Sequence, residues 1–209
     1  MYGKWLNSTI NGMRNIRRWE GKQKILMVND SEHSFNVALI SEALCRIEIE
    51  VYGQEIQVLE VIKRALMHDI SEILVGDIKS GVKKKTAAMK NALEEIEYQL
   101  YEEELEPMIP ESWRRDYKSY ILDPKQGKKT IEGKIIAVAD NIDALNEVIQ
   151  EVKLGNNTFK PYLEIIANDI LNIDLDAGKH FIKYCLADFE LPIEMYGEKV
   201  VEFISTYEI

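Results

Sequence analysis

Apolar residues recur along this chain with the spacing of helices. Leu6, Ile10, Met13 and Ile16 fall three or four apart and predict a short amphipathic helix near the amino terminus. Val37, Ile40, Leu44 and Ile47 predict a second after a turn at Ser31 to Ser34, with His33 one turn ahead of Val37 and facing the same interior side. Gly53 interrupts the pattern before a third helix from Ile56 to Leu74, built on Val58, Ile62, Ala65 and Leu66. A charged helix from Thr86 to Glu104 carries Leu93, Ile96 and Leu100 as its buried line, and its glutamate-rich remainder reads as a solvated face. Pro107 and Pro110 punctuate the connection to a short helix over Trp113 to Ile121. Beyond "LDPKQGKK" a long helix runs from Thr130 to Leu154 and ends at Gly155-Asn156-Asn157, after which further helices complete the chain. No segment alternates like a strand, so the pattern predicts an all-α chain folded as one domain, 1–209.

The long helix has two non-solvent faces. Ile135, Val138, Ile142, Leu145, Ile149 and Val152 form one stripe, while Asp140 projects from nearly the opposite side beside Ile136, Ala139 and Ala144. Asp143 and Glu147 extend the Asp140 side and read as a solvated edge.

Composition narrows the class of partner. With 209 residues, 46% apolar and 30% charged, the chain can bury one substantial core. A formal net charge of -10 repels a nucleic-acid backbone, which argues against a polymer of that kind and leaves a small anionic ligand open. Cys45 and Cys185, far apart in apolar surroundings, read as reduced core thiols of a cytoplasmic protein. No apolar run approaches the roughly 18 residues of a membrane span, and the amino terminus lacks the apolar block of a secretion signal. No membrane partner is expected.

The candidate chemistry begins in "RALMHDISEILVGD", residues 64–77, where an apolar helix pattern turns polar. Buried imidazoles and carboxylates are costly unless paired or metal-bound. His68 and Glu72 are four apart and share a helix side, Asp69 lies next to it, and Gly76 sends Asp77 into a loop. Adding His33 and Asp140 gives two neutral imidazoles and two carboxylates, a mixed nitrogen and oxygen set that balances one divalent cation and suits a six-coordinate transition metal. Such a set leaves room for a substrate oxygen and for a water whose acidity the cation raises. His180, in "AGKHFIKY" without acidic company, reads as structural or surface.

The order His, then His-Asp, then Asp on separate helices resembles the HD-domain metal-dependent phosphohydrolases. "RRW" at 17–19, "SEHS" at 31–34, "HDISEILVGD" at 68–77, "VAD" at 138–140 and "GNN" at 155–157 resemble the YfbR-like 5'-deoxynucleotidases. The resemblance implies an HD-domain helical bundle, a homodimer, and hydrolysis of 2'-deoxynucleoside 5'-monophosphates to deoxynucleoside and phosphate. It implies that His33, His68, Asp69 and Asp140 ligate one divalent ion, cobalt or manganese foremost, with magnesium or zinc as alternatives. It makes Glu72 and Asp77 catalytic carboxylates, and it assigns Arg18, Trp19, His33, Asp77 and Lys83 to the substrate. Arg18 offers a planar fork for a phosphate, and Trp19, lying against the sugar, disfavours a ribose 2'-hydroxyl.

One stretch departs from the family pattern. Relatives commonly carry a proline- and threonine-rich turn after the aspartate at position 77, whereas this chain reads "IKSGVKKK", with Lys79, Lys83, Lys84 and Lys85. Such a basic loop suits a longer polyphosphate, so a deoxynucleoside triphosphate phosphohydrolase of the same fold is the first alternative. A non-catalytic nucleotide-sensing HD protein is the second, opposed by the complete ligand set and Glu72.

Overall fold

Helical spacing in the sequence becomes helix throughout the regular parts of the protein, a computed structural model that describes residues 2–78 and 86–207. The basic loop of Lys79, Lys83, Lys84 and Lys85, including the substrate contact expected of Lys83, lies outside the described residues. Among the described residues the strand-like pairing is one isolated bridge, between Arg17 and Asn29.

Helix α1 spans Tyr2–Asn15. It buries Trp5, Thr9 and Met13, whereas Leu6 and Ile10 of the expected stripe are about half exposed. The large Trp5 indole, its ring centroid 5.5 Å from that of Tyr117, sets which face turns inward. Helix α2, Asp30–Glu50, begins ahead of the expected turn at Ser31 to Ser34. Asn29 starts it early: its side-chain oxygen accepts the Glu32 N–H (3.1 Å) and its amide donates to the Glu32 carboxylate (3.1 Å), a reciprocal cap that satisfies the first turn.

The continuous helix expected from Ile56 to Leu74 is broken. Helix α3, Val58–Met67, stops just before His68, and α4 covers only Glu72–Val75. Between them the backbone tightens into turns whose N–H groups bond three residues back, Ile70 to Met67 (3.2 Å) and Glu72 to Asp69 (2.9 Å).

Helix α5, Ala87–Leu100, is capped by the Thr86 hydroxyl and buries none of its residues. Its expected line of Leu93, Ile96 and Leu100 is at best half-buried. The chain enters the interior one step later, in a π-helical turn whose Tyr101 and Leu105 are fully enclosed. Helix α6 spans Glu111–Leu122 and α7 spans Ile131–Lys153. Thr130 caps α7 by accepting the Gly133 N–H (3.1 Å), and Gly155 follows it at φ 93°. Helices α8 (Lys160–Asn172), α9 (Asp176–His180) and α10 (Glu198–Thr206) complete the order. None of the described helices is long and apolar enough to cross a membrane.

The chain divides into two compact units. The first comprises Met1–Gln23, Met27–Phe35 and Leu66–Pro124. Its core is Trp5, Met13, Ile70, Tyr101, Leu105, Ile109 and Ile121. The second comprises Lys24–Leu26, Asn36–Ala65 and Lys125–Ile209, with α7 at its centre. Ile135, Val138, Leu145 and Ile149 of α7 are fully buried there, as are Cys45, Phe159 and Leu163. Burial pushes the Cys45 thiol up to about 12, as expected of an inert core thiol. His180 is half-buried, with its Nδ1 3.4 Å from the Tyr52 hydroxyl, in keeping with a structural role.

Asp143 and Glu147 are not a solvated edge; both are buried. With Asp140 and Glu151 they make one acidic stripe along α7, and the second unit supplies a partner for each of the last three. Asn36 donates to Asp143 (3.0 Å), and the Lys24 ammonium meets Glu147 at 2.7 Å. Glu151, fully enclosed, accepts the backbone N–H groups of Ile25 (3.0 Å) and Leu26 (2.8 Å) and the Asn156 amide (2.7 Å). A carboxylate is retained in an apolar interior only when donors replace its water.

Burial pushes the Glu151 carboxyl up, but those donors and nearby Lys24 outweigh it, leaving the group below its ordinary 4.5. A depressed carboxyl stabilises the fold fully above its unfolded value and loses that contribution as pH falls through the folded value. Glu151→Gln is therefore expected to cost about 2 kcal/mol at neutral pH. The gap from wild type should shrink as pH drops below 4.5, as read by urea unfolding at a series of pH values.

Candidate metal centre

Three of the four expected ligands meet inside the first unit. His33 comes from the first turn of α2; His68 and Asp69 come from the tight turns after α3. The His33 and His68 Nε2 atoms are 3.2 Å apart. The Asp69 Oδ2 lies 3.1 Å from the His68 Nε2 and 3.5 Å from that of His33. Both imidazoles are fully enclosed, while the Asp69 side chain keeps 15% of its surface open to solvent. The break in the helix matters here, because it separates α3 from the turn that presents His68 and Asp69 side by side.

This triangle tests whether the residues suit a cation. Atoms bound at about 2.1 Å to one ion are about 3.0 Å apart at right angles and about 3.4 Å apart in a tetrahedral shell. The observed 3.1–3.5 Å edges match that spacing without rearrangement. Two imidazole nitrogens and a carboxylate oxygen converging on one point are a donor set for a divalent metal, so the residues fit the group that the motif implies.

Glu72, at the start of α4, is buried, and it offers a carboxylate oxygen within 4.8 Å of oxygens of Asp69 and Asp30. The Arg18 guanidinium lies 3.7 Å from the Asp69 Oδ2 and 4.0 Å from the Asp30 Oδ1. Arg18 sits in the loop closed by the Arg17–Asn29 bridge, and its own N–H bonds the Val28 carbonyl at 3.2 Å. Trp19 follows at φ 61°, a left-handed conformation unusual for a bulky side chain. The Asp77 carboxylate holds it there by accepting the Trp19 N–H at 3.0 Å. Asp77 thus acts on the backbone of the loop that carries Arg18 and Trp19.

Asp140 belongs to the second unit, on α7, where its Oδ2 accepts a 2.5 Å hydrogen bond from Lys125. Lys83 lies outside the described residues.

Sequence reasoning missed Asp30. It is fully buried, and among the described residues its carboxylate oxygens accept no hydrogen bond. Burial and the nearby Asp69 charge push its carboxyl up to about 7 against the pull of Arg18 and His33. The available signal was its position three residues before His33, one turn back on the same helix face.

The helical fold and this histidine–aspartate centre define an HD-domain phosphohydrolase. A solved HD-domain phosphohydrolase from Listeria innocua superposes with a TM-score of 0.80 at 29% identity, covering 97% of this chain and 96% of its own. A cyanophage S-2L HD phosphohydrolase, bound to dA and one catalytic zinc ion, shares the fold at TM-score 0.54 and 19% identity, covering 82% of this chain and 87% of its own. Residues 6–189 match the family model described as 5'-deoxynucleotidase YfbR-like, and the chain belongs to that family. A 5'-deoxynucleotidase of Vibrio vulnificus is 29% identical over 185 residues, 87% of this chain and 92% of the relative. The protein is accordingly an enzyme of the phosphoric monoester hydrolase class.

Asp30 yields a prediction for metal-stripped protein. A carboxyl with a raised value penalises the fold above that value, and the penalty fades as pH falls towards the unfolded value of 3.8. Asp30→Asn should raise the melting temperature of metal-stripped protein at pH 8, with the gain diminishing below pH 7. Thermal scans at both pH values check it.

Proposed function

We propose that this enzyme hydrolyses 2'-deoxynucleoside 5'-monophosphates to deoxynucleoside and inorganic phosphate. The observation that carries the reading is the His33–His68–Asp69 triangle, whose edges of 3.1–3.5 Å suit one divalent cation, with Arg18 beside it and Glu72 close to Asp69. The HD motif makes Asp140 the fourth ligand. The family resemblance implies cobalt or manganese as the ion, and a mixed imidazole and carboxylate set accommodates either. When bound, such an ion supplies Lewis acidity, neutralising phosphoryl charge and making water a better nucleophile.

The chain's own residues supply the rest. Arg18 binds the phosphate oxygens through its planar guanidinium and stabilises the charge that gathers on them as phosphorus is attacked. Glu72 accepts a proton from the attacking water, the bond from phosphorus to the 5'-oxygen breaks, and the proton returns to the departing oxygen. Water is consumed, and one deoxynucleoside and one phosphate leave. Trp19 packs against the sugar and leaves no room for a 2'-hydroxyl. Asp77 keeps it in place through the backbone bond. Lys83 adds a cation for the phosphate.

A panel of deoxy- and ribonucleoside mono- and triphosphates, assayed with cobalt, manganese, magnesium and zinc, tests the assignment. Deoxynucleoside monophosphates should be consumed with release of inorganic phosphate and ribonucleotides spared. Turnover of triphosphates alone would remove the monophosphatase reading in favour of a triphosphohydrolase. Glu72→Gln should still bind manganese in calorimetry while losing roughly 10²- to 10⁴-fold in kcat. Wild-type turnover from that variant would take Glu72 out of the mechanism.

A further inference from the structure

The connection ahead of α7 is built at a conformational cost that ordinary loop closure does not require. Gln126, Gly127 and Lys128 all adopt left-handed backbone angles, φ 46°, 56° and 58°, and two of the three carry side chains. Such a conformation crowds the Cβ against the neighbouring backbone wherever a side chain is present. The Lys128 N–H closes the turn on the Lys125 carbonyl at 2.6 Å. The Thr130 hydroxyl, which caps α7, also donates to the Gln126 side chain and ties the turn to the helix start.

The turn is pressed onto the first turn of α7 as closely as a backbone permits. A Cβ placed on Gly133 would meet the Lys125 carbonyl oxygen at 2.1 Å and its carbon at 2.7 Å, so only glycine fits there. Asp140 stands seven residues, two helical turns, beyond Gly133 on the same face of α7. Helical side chains lean towards the amino terminus, so Asp140 leans back towards this turn. The Lys125 stem runs up to meet it, and its ammonium donates to the Asp140 Oδ2 at 2.5 Å. Both side chains are about three-quarters buried. Strain, a required glycine and a tied cap thus all serve to fix one lysine against one carboxylate.

We propose that Lys125 is a positioning residue for Asp140, holding its carboxylate in a single orientation for cation binding. The inference rests on the assignment of Asp140 as a metal ligand. A carboxylate swings about its χ angles, and ordering it when the ion arrives costs rotamer entropy. A charge-assisted bond already in place removes much of that freedom, as hydrogen bonds to ligating side chains do at metal centres generally. On this basis Lys125 strengthens metal binding even though it adds positive charge nearby.

The test is calorimetric titration of the metal-stripped full-length chain with manganese alone, alongside thermal melting of the same preparations. Lys125→Met should bind manganese roughly 10- to 100-fold more weakly than wild type. Its metal-free melting temperature should stay within a few degrees, because solvent reaches about a quarter of each side chain and screens the pair. Lys125→Arg, which keeps a cationic donor, should retain more affinity than Lys125→Met. Wild-type or tighter affinity in Lys125→Met would overturn the proposal and leave the lysine as a counter-charge that the ion displaces.

Asp140→Asn separates the two claims. If that variant binds manganese as wild type does, the ligand assignment itself fails and the role of Lys125 falls with it. If Asp140→Asn loses affinity while Lys125→Met does not, only the positioning role is lost. Should Lys125→Met fail to fold, Lys125→Gln carries the decision, because it keeps a polar side chain at the position while losing the charge-assisted bond. Weakened manganese binding in that variant supports the proposal, and unchanged binding overturns it.

Discussion

Two enclosed imidazoles whose nitrogens approach to 3.2 Å, with a carboxylate oxygen on their common side, set the terms for the rest of the first unit. Nitrogens that close, with a carboxylate oxygen beside both, are spaced as donors to one shared cation. The cap at Asn29 places His33 on the first turn of α2, and the tight turns after Met67 bring His68 and Asp69 round to meet it. An unbroken helix through this stretch would hold His68 and Asp69 about 100° apart around its axis, on neighbouring faces. The irregular backbone is therefore the feature that brings the His68 Nε2 and the Asp69 Oδ2 to 3.1 Å from each other on one side.

The second unit handles the same problem with protein donors. Along α7 the carboxylates of Asp143, Glu147 and Glu151 are matched by Asn36, Lys24 and the N–H groups of Ile25 and Leu26. Each lies within an interior where an uncompensated charge would cost several kcal/mol. Asp140, the most accessible of the four, is matched by Lys125. Exposure thus rises along the stripe from the enclosed Asp143, Glu147 and Glu151 to Asp140, whose side chain keeps about a quarter of its surface open to solvent.

Much of this was legible in the sequence because helical periodicity and metal-ligand chemistry both leave local marks. The α7 stripe of Ile135, Val138, Leu145 and Ile149, its start near Thr130 and its glycine stop were readable, and so was the grouping of His33, His68 and Asp69. What escaped depended on partners distant in the chain. Glu151 is recognisable as interior only once Ile25 and Leu26, more than a hundred residues earlier, present their N–H groups to it. Asp30 gave only a spacing clue, and its burial follows from the way the Arg18 loop folds over it. On α1 the amphipathic count favoured Leu6 and Ile10, but one indole outweighed both. The helix expected through His68 failed for another reason. Periodicity records where apolar residues fall and is blind to a switch from four-residue to three-residue hydrogen bonding.

Trp19 stands where two demands on one residue conflict. Its backbone occupies the left-handed region, where glycine sits without strain, whereas the role proposed for its ring needs the broadest aromatic surface available. Drift towards glycine at this codon would relax the loop and erase the proposed sugar platform in a single step. A sturdier fold and a more discriminating enzyme thus pull in opposite directions here, and the carboxylate at Asp77 is what lets the chain keep the indole.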